Sequence, residues 1–141
     1  MTRVRRLNGS HGLGLEASHV VDVAPEDAWD LLVDTHRWID WSPTITAVEA
    51  SERWIGPDTT GRVRLVGGLW VPFEVTEYDL EDRRWKWRVG KVPSTGHRVD
   101  ALGDDRCRIA FELPVAAAGY LPVCLRALGR LEGVLLEDDT V

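Results

Sequence analysis

Hydrophobic and polar residues alternate along most of the central part of the chain. In residues 84–89, Trp85, Trp87 and Val89 fall on one face, and three cationic residues occupy the other. This period of two residues is typical of a strand with one buried face. Including an earlier, less regular segment, the pattern predicts strands over residues 15–23, 45–54, 62–66, 70–78, 84–89, 96–102 and 107–113.

Two short helices are predicted between the first and second of these strands. Pro25 suits the first turn of a helix, and the two acidic residues after it complement the positive end of the helix dipole, so a helix is expected to run to about Val33. Large apolar residues at helical spacing predict a second helix over residues 34–41. It ends before Pro43, because the residue preceding a proline avoids the helical conformation.

The longest helical pattern covers residues 120–136, where leucines form a broad apolar stripe. Consecutive hairpins make a sheet with one buried face, and this helix is the one long element left to cover it. The predicted fold class is therefore α+β, a helix-grip fold in which a curved antiparallel sheet of about seven strands surrounds a long C-terminal helix. A sheet curled around one helix closes poorly at its ends, so an apolar cavity is expected between them.

Length and composition point to one domain. The chain has 141 residues, the usual size of a domain. Residues 1–14 contain three arginines and three glycines without periodicity, which predicts a flexible leader followed by a single domain over residues 15–141. The net charge is −6, and an acidic body repels polyphosphate, so a nucleic-acid partner is not expected.

The same composition gives expectations about location. No apolar run approaches the roughly 20 residues that span a bilayer, so no membrane span is predicted. Cys107 and Cys124 lie in apolar stretches without the spacing of metal ligands, which favours two buried thiols in a reducing cytoplasm. Metal-binding, nucleophile and phosphate-binding motifs are absent from the sequence, so neither a metal nor a cofactor is predicted.

Residues 23–49 resemble the N-terminal signature of the START-like superfamily (SRPBCC), which includes polyketide cyclases and lipid-transfer domains. The matching residues are Pro25, Trp29, Leu32, Asp34, Trp38, Trp41, Ser42, Pro43 and Val48. Gly61, the strand over 71–75, the Trp85-x-Trp87 strand and the closing helix also fall in the expected order, so the resemblance covers about residues 15–136. It implies a helix-grip fold with a deep apolar cavity, whereas ligands and activities vary widely among the members of the superfamily.

Two residues are candidates for catalysis. His97 shares a strand face with Val99, so it is expected to point into the interior, where an imidazole can act as general acid or base or hold a ligand's carbonyl. Tyr120 offers a hydroxyl near the start of the long helix. A core histidine bonded to a neighbouring group is the alternative for His97.

Inward-facing aromatic and aliphatic side chains are candidates for ligand binding, because flat rings stack on aromatic or polycyclic molecules. The predicted ligand-binding residues are Trp41, Phe73, Trp85, Trp87, His97, Val99, Phe111, Tyr120, Leu125 and Leu128. Plain core packing is the alternative for all of them. Glu77 has the parity of Val75, so it either faces the end of the cavity or lies in solvent.

Three functions follow from these observations. The first is a carrier or sensor that binds a small hydrophobic molecule, aromatic, polyketide-like or lipid, in the cavity without catalysis. The second is a polyketide cyclase or dehydratase that uses the cavity histidine. The third is a module that binds a protein partner through the outer face of the sheet, although the many charged residues there disfavour a large apolar interface.

Overall fold

The computed structural model describes residues 2–9 and 12–139, which form eight strands and three α-helices. In chain order these are β1 (Thr2–Gly9), β2 (Gly12–Val21), α1 (Pro25–Val33), α2 (Trp38–Trp41), β3 (Ile45–Ala50), β4 (Thr60–Leu65), β5 (Trp70–Asp79), β6 (Arg84–Val89), β7 (Val92–Gly103), β8 (Arg106–Pro114) and α3 (Leu121–Asp139). Short 3₁₀ turns precede α2 and α3, at Thr35–Arg37 and Val115–Tyr120.

All eight strands form one antiparallel sheet in the order β1-β2-β8-β7-β6-β5-β4-β3. Strands β3 to β8 follow one another as neighbours, and β2 joins the sheet beside β8. The long helix α3 packs against β2 and α2. This arrangement confirms the predicted α+β helix-grip fold, with one strand more than the seven expected.

The additional strand is β1. The sequence predicts a flexible leader over residues 1–14, whereas the structure pairs Thr2–Gly9 with β2; residues 1, 10 and 11 lie outside the described residues. An ion pair also joins the two strands, since Arg5 Nε donates to Glu16 Oε1 on β2 at 2.9 Å. The strand has few apolar residues, so apolar periodicity does not reveal it.

Glu16 also begins a row of ion pairs across the outer face of the sheet. Arg98 on β7 lies 3.0 Å from Glu16 and 3.6 Å from Glu112, and Arg84 on β6 lies 2.8 Å from Glu112. Burial alone would raise the pKa of Glu16, but hydrogen bonds from Arg5 and Arg98 hold it below its ordinary value. Glu112 lies on the outer face of the sheet, where the surrounding arginines bury it.

Trp38 joins the helices to the inner face of the sheet. Its side chain is buried, and its indole Nε1 donates to the carbonyl of Leu32 at 2.9 Å. The ring centroid lies 5.4 Å from that of Phe73, 5.6 Å from Trp85 and 5.1 Å from Trp87. One residue of the short helix α2 therefore contacts two neighbouring strands, β5 and β6.

In residues 2–9 and 12–139, no helix is both long enough and apolar enough to cross a membrane. This finding agrees with the charge pattern of α3, whose outward side carries arginine and glutamate residues between the buried leucines.

Gly61 on β4 lies close to both neighbouring strands, β3 and β5, so a substitution there tests the packing of the sheet. A Cβ atom there would lie 2.2 Å from the carbonyl oxygen of Glu49 on β3 and 2.8 Å from the Phe73 ring on β5. We expect Gly61→Ala to lower the free energy of unfolding by about 2–3 kcal/mol, measured by urea denaturation, because the backbone must move to admit the methyl group.

Gly133→Ala is the matched control. Gly133 is an exposed position of α3, and a methyl group added there would meet no atom within 4 Å, so alanine should raise the free energy of unfolding by about 1 kcal/mol. Equal stability of the two variants would contradict the close strand approach at Gly61.

Candidate functional site

A cavity of about 440 Å³ lies between the sheet, α2 and the first turns of α3. Its volume falls within the range of about 300–1,000 Å³ that is usual for small-molecule sites. Six aromatic residues contribute to its lining: Trp38, Trp41, Trp85, Trp87, Phe111 and Tyr120. The remaining lining is mainly aliphatic, so the cavity is suited to an apolar guest.

The space exists because α3 presents short side chains to it. Val123, Cys124 and Ala127 line the cavity from the N-terminal half of the helix, whereas the larger Leu131 and Leu135 lie further along and are buried in the core. The helix therefore fills the core at one end and leaves room at the other.

His97 lies at the inner wall of the cavity and is only 6% exposed. On β7 it pairs with Trp85 of β6 on one side and with Phe111 of β8 on the other. Its ring stacks on Trp85 with the centroids 3.9 Å apart and the planes inclined by 9°, and Phe111 meets it edge-on at 5.2 Å. The imidazole is therefore packed as an aromatic ring among aromatic rings.

These aromatic neighbours exclude water from the imidazole and lower the pKa of His97. Burial lowers its pKa to about 3, and a hydrogen bond with the main chain of Trp85 opposes the shift only in part. The imidazole is therefore neutral throughout the physiological pH range. Its nearest ring neighbours are Trp41, Trp85, Trp87 and Phe111, none of which can exchange a proton with it at that pH.

Three buried polar atoms around His97 have no hydrogen-bond partner among the described residues: Nδ1 of His97 and the indole Nε1 atoms of Trp41 and Trp85. By contrast, Trp87 Nε1 donates to Thr95 Oγ1 at 2.8 Å. A buried polar group without a partner costs about 1–3 kcal/mol. Neighbouring atoms cover all three atoms, so a guest reaches them only when the rings move.

Cys124 is a second cavity residue with a shifted pKa. Burial raises the pKa of its thiol to about 11. The thiol is therefore protonated at neutral pH, and a protonated thiol is a weak nucleophile. Cys124 contributes a small apolar surface to the wall.

The cavity opens to solvent where its lining residues are exposed. Val66, which follows β4, is 69% exposed, and Tyr120, just before α3, is 44% exposed. Lys91, in the turn between β6 and β7, is the third exposed lining residue. These three residues define the mouth.

Six of the predicted ligand-binding residues line the cavity: Trp41, Trp85, Trp87, His97, Phe111 and Tyr120. Four others are placed elsewhere: Phe73, Val99, Leu125 and Leu128. Phe73, Val99 and Leu128 are buried in the core, and Leu125 packs against it. The two-residue period identifies the inner face of a strand, but it does not say which part of that face α3 and α1 cover.

Glu77 lies outside the cavity and is exposed. The pairing of β5 with β6 shifts register between Val75 and Glu77, so these two residues no longer share a face as the parity argument assumed. The two candidate catalytic residues lie in different environments, because His97 is buried at the inner wall and Tyr120 is exposed at the mouth.

Several lining residues with polar or aromatic side chains are absent from the predicted set, among them Trp38, Lys91 and Thr95. Trp38 follows the same helical spacing as Trp41 and could have been included on that ground. Lys91 lies in the β6–β7 turn, where periodicity gives no orientation, and Thr95 lies near the start of β7. In the part of the chain that the structure describes, no three His, Cys, Asp or Glu side chains are grouped to hold a metal ion.

Comparison with known proteins agrees with this geometry. Residues 13–131 match the family described as polyketide cyclase / dehydrase and lipid transport. No curated protein matches the chain at a significant level.

Solved structures share the fold at low sequence identity. The protein XoxI from Bacillus cereus is 14% identical, with 88% of this chain and 96% of that chain covered at a TM-score of 0.70. The Zhui aromatase/cyclase from Streptomyces sp. R1128 is 15% identical, with 94% of each chain covered at a TM-score of 0.66. The di-domain aromatase/cyclase BexL of the BE-7585A biosynthetic pathway is 15% identical, with 86% of this chain and 45% of that chain covered at a TM-score of 0.65.

The low pKa of His97 predicts a pH dependence of stability. The unfolded chain binds a proton at this imidazole below about pH 6.5, whereas the folded protein does not until about pH 3. His97 therefore contributes its full stability above about pH 6.5. Between about pH 6.5 and about pH 3, the free energy of unfolding decreases as the pH falls, by up to about 1.4 kcal/mol per pH unit.

Urea denaturation of the wild type and of His97→Gln measures this contribution. The difference between their free energies of unfolding should change between about pH 6 and about pH 4 and stay constant above about pH 7. In parallel, the His97 ring protons should show no titration by NMR between about pH 5 and about pH 8. A midpoint near 6.5 for this residue would contradict its desolvated position.

Proposed function

Because the chain belongs to the polyketide cyclase / dehydrase and lipid transport family, we propose that it binds a small hydrophobic, largely aromatic molecule as a carrier or sensor. The observation that carries the proposal is the cavity of about 440 Å³ with its aromatic walls. Apolar surface removed from water drives such binding, and rings set at varied angles offer both stacked and edge-on contacts to a flat guest.

The state of His97 favours binding over catalysis. A general acid or base works best when its pKa lies near the operating pH, and the pKa of His97 is about 3. A neutral imidazole can hold a carbonyl or hydroxyl group of a guest by a hydrogen bond without transferring a proton. We therefore assign His97 to ligand binding, together with Trp41, Trp85, Trp87 and Phe111.

The aromatic character of the guest follows from the tryptophans. Four of the seven tryptophans of the chain, Trp38, Trp41, Trp85 and Trp87, line this one cavity. Rigid indole rings lose little conformational entropy on binding, and they contact a planar guest over a large area. Aliphatic side chains in the same walls would offer a flat guest no stacking surface.

The proposal is tested with N-phenylnaphthylamine, a neutral aromatic probe whose fluorescence rises in apolar surroundings. The wild type should bind it with one site, and energy transfer should quench the cavity tryptophans. Ala127→Phe and Cys124→Phe place a ring in the cavity and should weaken binding by about tenfold or more, since a filled site excludes the guest.

Ala101→Phe is the matched control, because Ala101 is exposed on β7 and does not line the cavity. It should bind the probe as the wild type does. Equal binding by all four proteins would locate the probe outside the cavity and overturn the proposal. Circular dichroism and urea midpoints of each variant establish that the fold is retained.

A polyketide cyclase or dehydratase activity is the second candidate. It is favoured by the presence of both His97 and Tyr120 among the lining residues. With a polyketide-like substrate, His97→Ala should then abolish turnover, whereas under the carrier proposal the same change alters only the affinity for a bound probe. Turnover by the wild type that His97→Ala removes would replace the carrier proposal by the enzymatic one.

A further inference from the structure

Resting on the proposed function, we propose that the guest is an amphipathic anion, with an apolar body among the tryptophans and a carboxylate or sulfonate-like group at the mouth beside Lys91. Among the described residues that line the cavity, Lys91 is the one lysine or arginine, and His97 is neutral. The lining contains no carboxylate among those residues. The mouth therefore attracts negative charge on a protein whose net charge is −6.

The turn that carries Lys91 is held in place by its neighbours. Gly90 has a positive φ of 56°, a conformation that favours glycine, and its N–H donates to the carbonyl of Pro72 on β5 at 2.8 Å. A Cβ at Gly90 would lie 2.7 Å from Cγ1 of Val71, another lining residue. The backbone of the turn thus lies directly against the cavity wall, and Lys91 extends from it at the opening.

Lys91 also differs from most cationic residues of the chain in having no ion-pair partner within the described residues. On the same sheet, Arg62 pairs with Glu49 at 2.7 Å and Arg84 with Glu112 at 2.8 Å. An unpaired ammonium group is available to a ligand without first breaking a salt bridge, and solvent and salt screen its attraction for the guest.

The lining of the cavity contains both aromatic and polar side chains, which suits an amphipathic guest. The inner wall is aromatic, around Trp85 and Phe111, and three hydroxyl residues, Ser42, Thr44 and Thr95, belong to the lining as well. Arg130, which is not a lining residue, donates from Nη1 to the carbonyl oxygen of Ser42 at 3.5 Å. A neutral hydrocarbon would use the aromatic wall alone and gain nothing from these groups.

Two probes that differ by one charged group separate this inference from the proposed function. N-phenylnaphthylamine is neutral, and the matching anilinonaphthalene sulfonate adds one sulfonate to the same ring system. In low-salt buffer, Lys91→Gln should weaken binding of the sulfonate by about three- to fivefold, as expected for one solvent-exposed charge pair, and leave the neutral probe unchanged. Lys91→Arg should restore the sulfonate affinity, and high salt should remove the difference.

The chain supplies a matched control, since Lys86 is its only other lysine and lies on the outer side of β6. Lys86→Gln changes the net charge equally but should bind both probes as the wild type does. Displacement of the neutral probe by decanoate and by decanol gives an independent measure: decanoate should lose affinity in Lys91→Gln, whereas decanol should not.

The outcomes distinguish the two proposals. Failure of the wild type to bind the neutral probe in the cavity overturns the proposed function. Normal binding of the neutral probe, with sulfonate and decanoate affinities that do not depend on Lys91, overturns the anionic guest and leaves the proposed function intact. Equal weakening by Lys86→Gln and Lys91→Gln would reduce the effect to net charge and also overturn it.

Discussion

The mismatch in width between the sheet and the single helix α3 determines the rest of the structure. Eight strands spaced by about 4.8 Å span about 34 Å, whereas a helix with its side chains is about 10 Å across. Helix α3 packs beside β2 and α2, so much of the concave face depends on side chains to fill it. Large rings on β6, β7 and β8 fill part of that space, and the short Cys124 and Ala127 on α3 leave the remainder as a cavity.

Burial of the side chains around this space sets their protonation states. The same desolvation lowers the pKa of His97 to about 3 and raises the pKa of Cys124 to about 11. Both side chains are then neutral near pH 7, so neither of these two residues offers a strong acid, base or nucleophile at that pH. Among the lining residues that the structure describes, the one lysine or arginine, Lys91, lies at the mouth.

Periodicity and element order predicted the fold well, and the candidate site only in part. Alternation in β6 placed Trp85 and Trp87 inward, but it failed at β1, a strand that pairs with β2 along its length and adds the ion pair between Arg5 and Glu16. Whether an inward residue such as Val99 meets helix packing or open space depends on where α1 and α3 cross the sheet, which a single strand does not encode. Turn residues such as those between β6 and β7 show no periodic face at all.

The buried polar atoms without a partner, Nδ1 of His97 and Nε1 of Trp41 and Trp85, affect both the stability of the fold and the choice of guest. Phenylalanine at positions 41 and 85 would pack without an unpaired N–H, yet the chain has tryptophan at both, at a cost of about 1–3 kcal/mol for each donor left without a partner. By contrast, Trp38 and Trp87 in the same cluster do have acceptors. A guest with a carbonyl or hydroxyl group could relieve the cost after a small rotation of these rings. The unpaired donors would then favour guests that carry an acceptor at the inner end over hydrocarbons of the same shape, because a hydrocarbon leaves the donors unsatisfied.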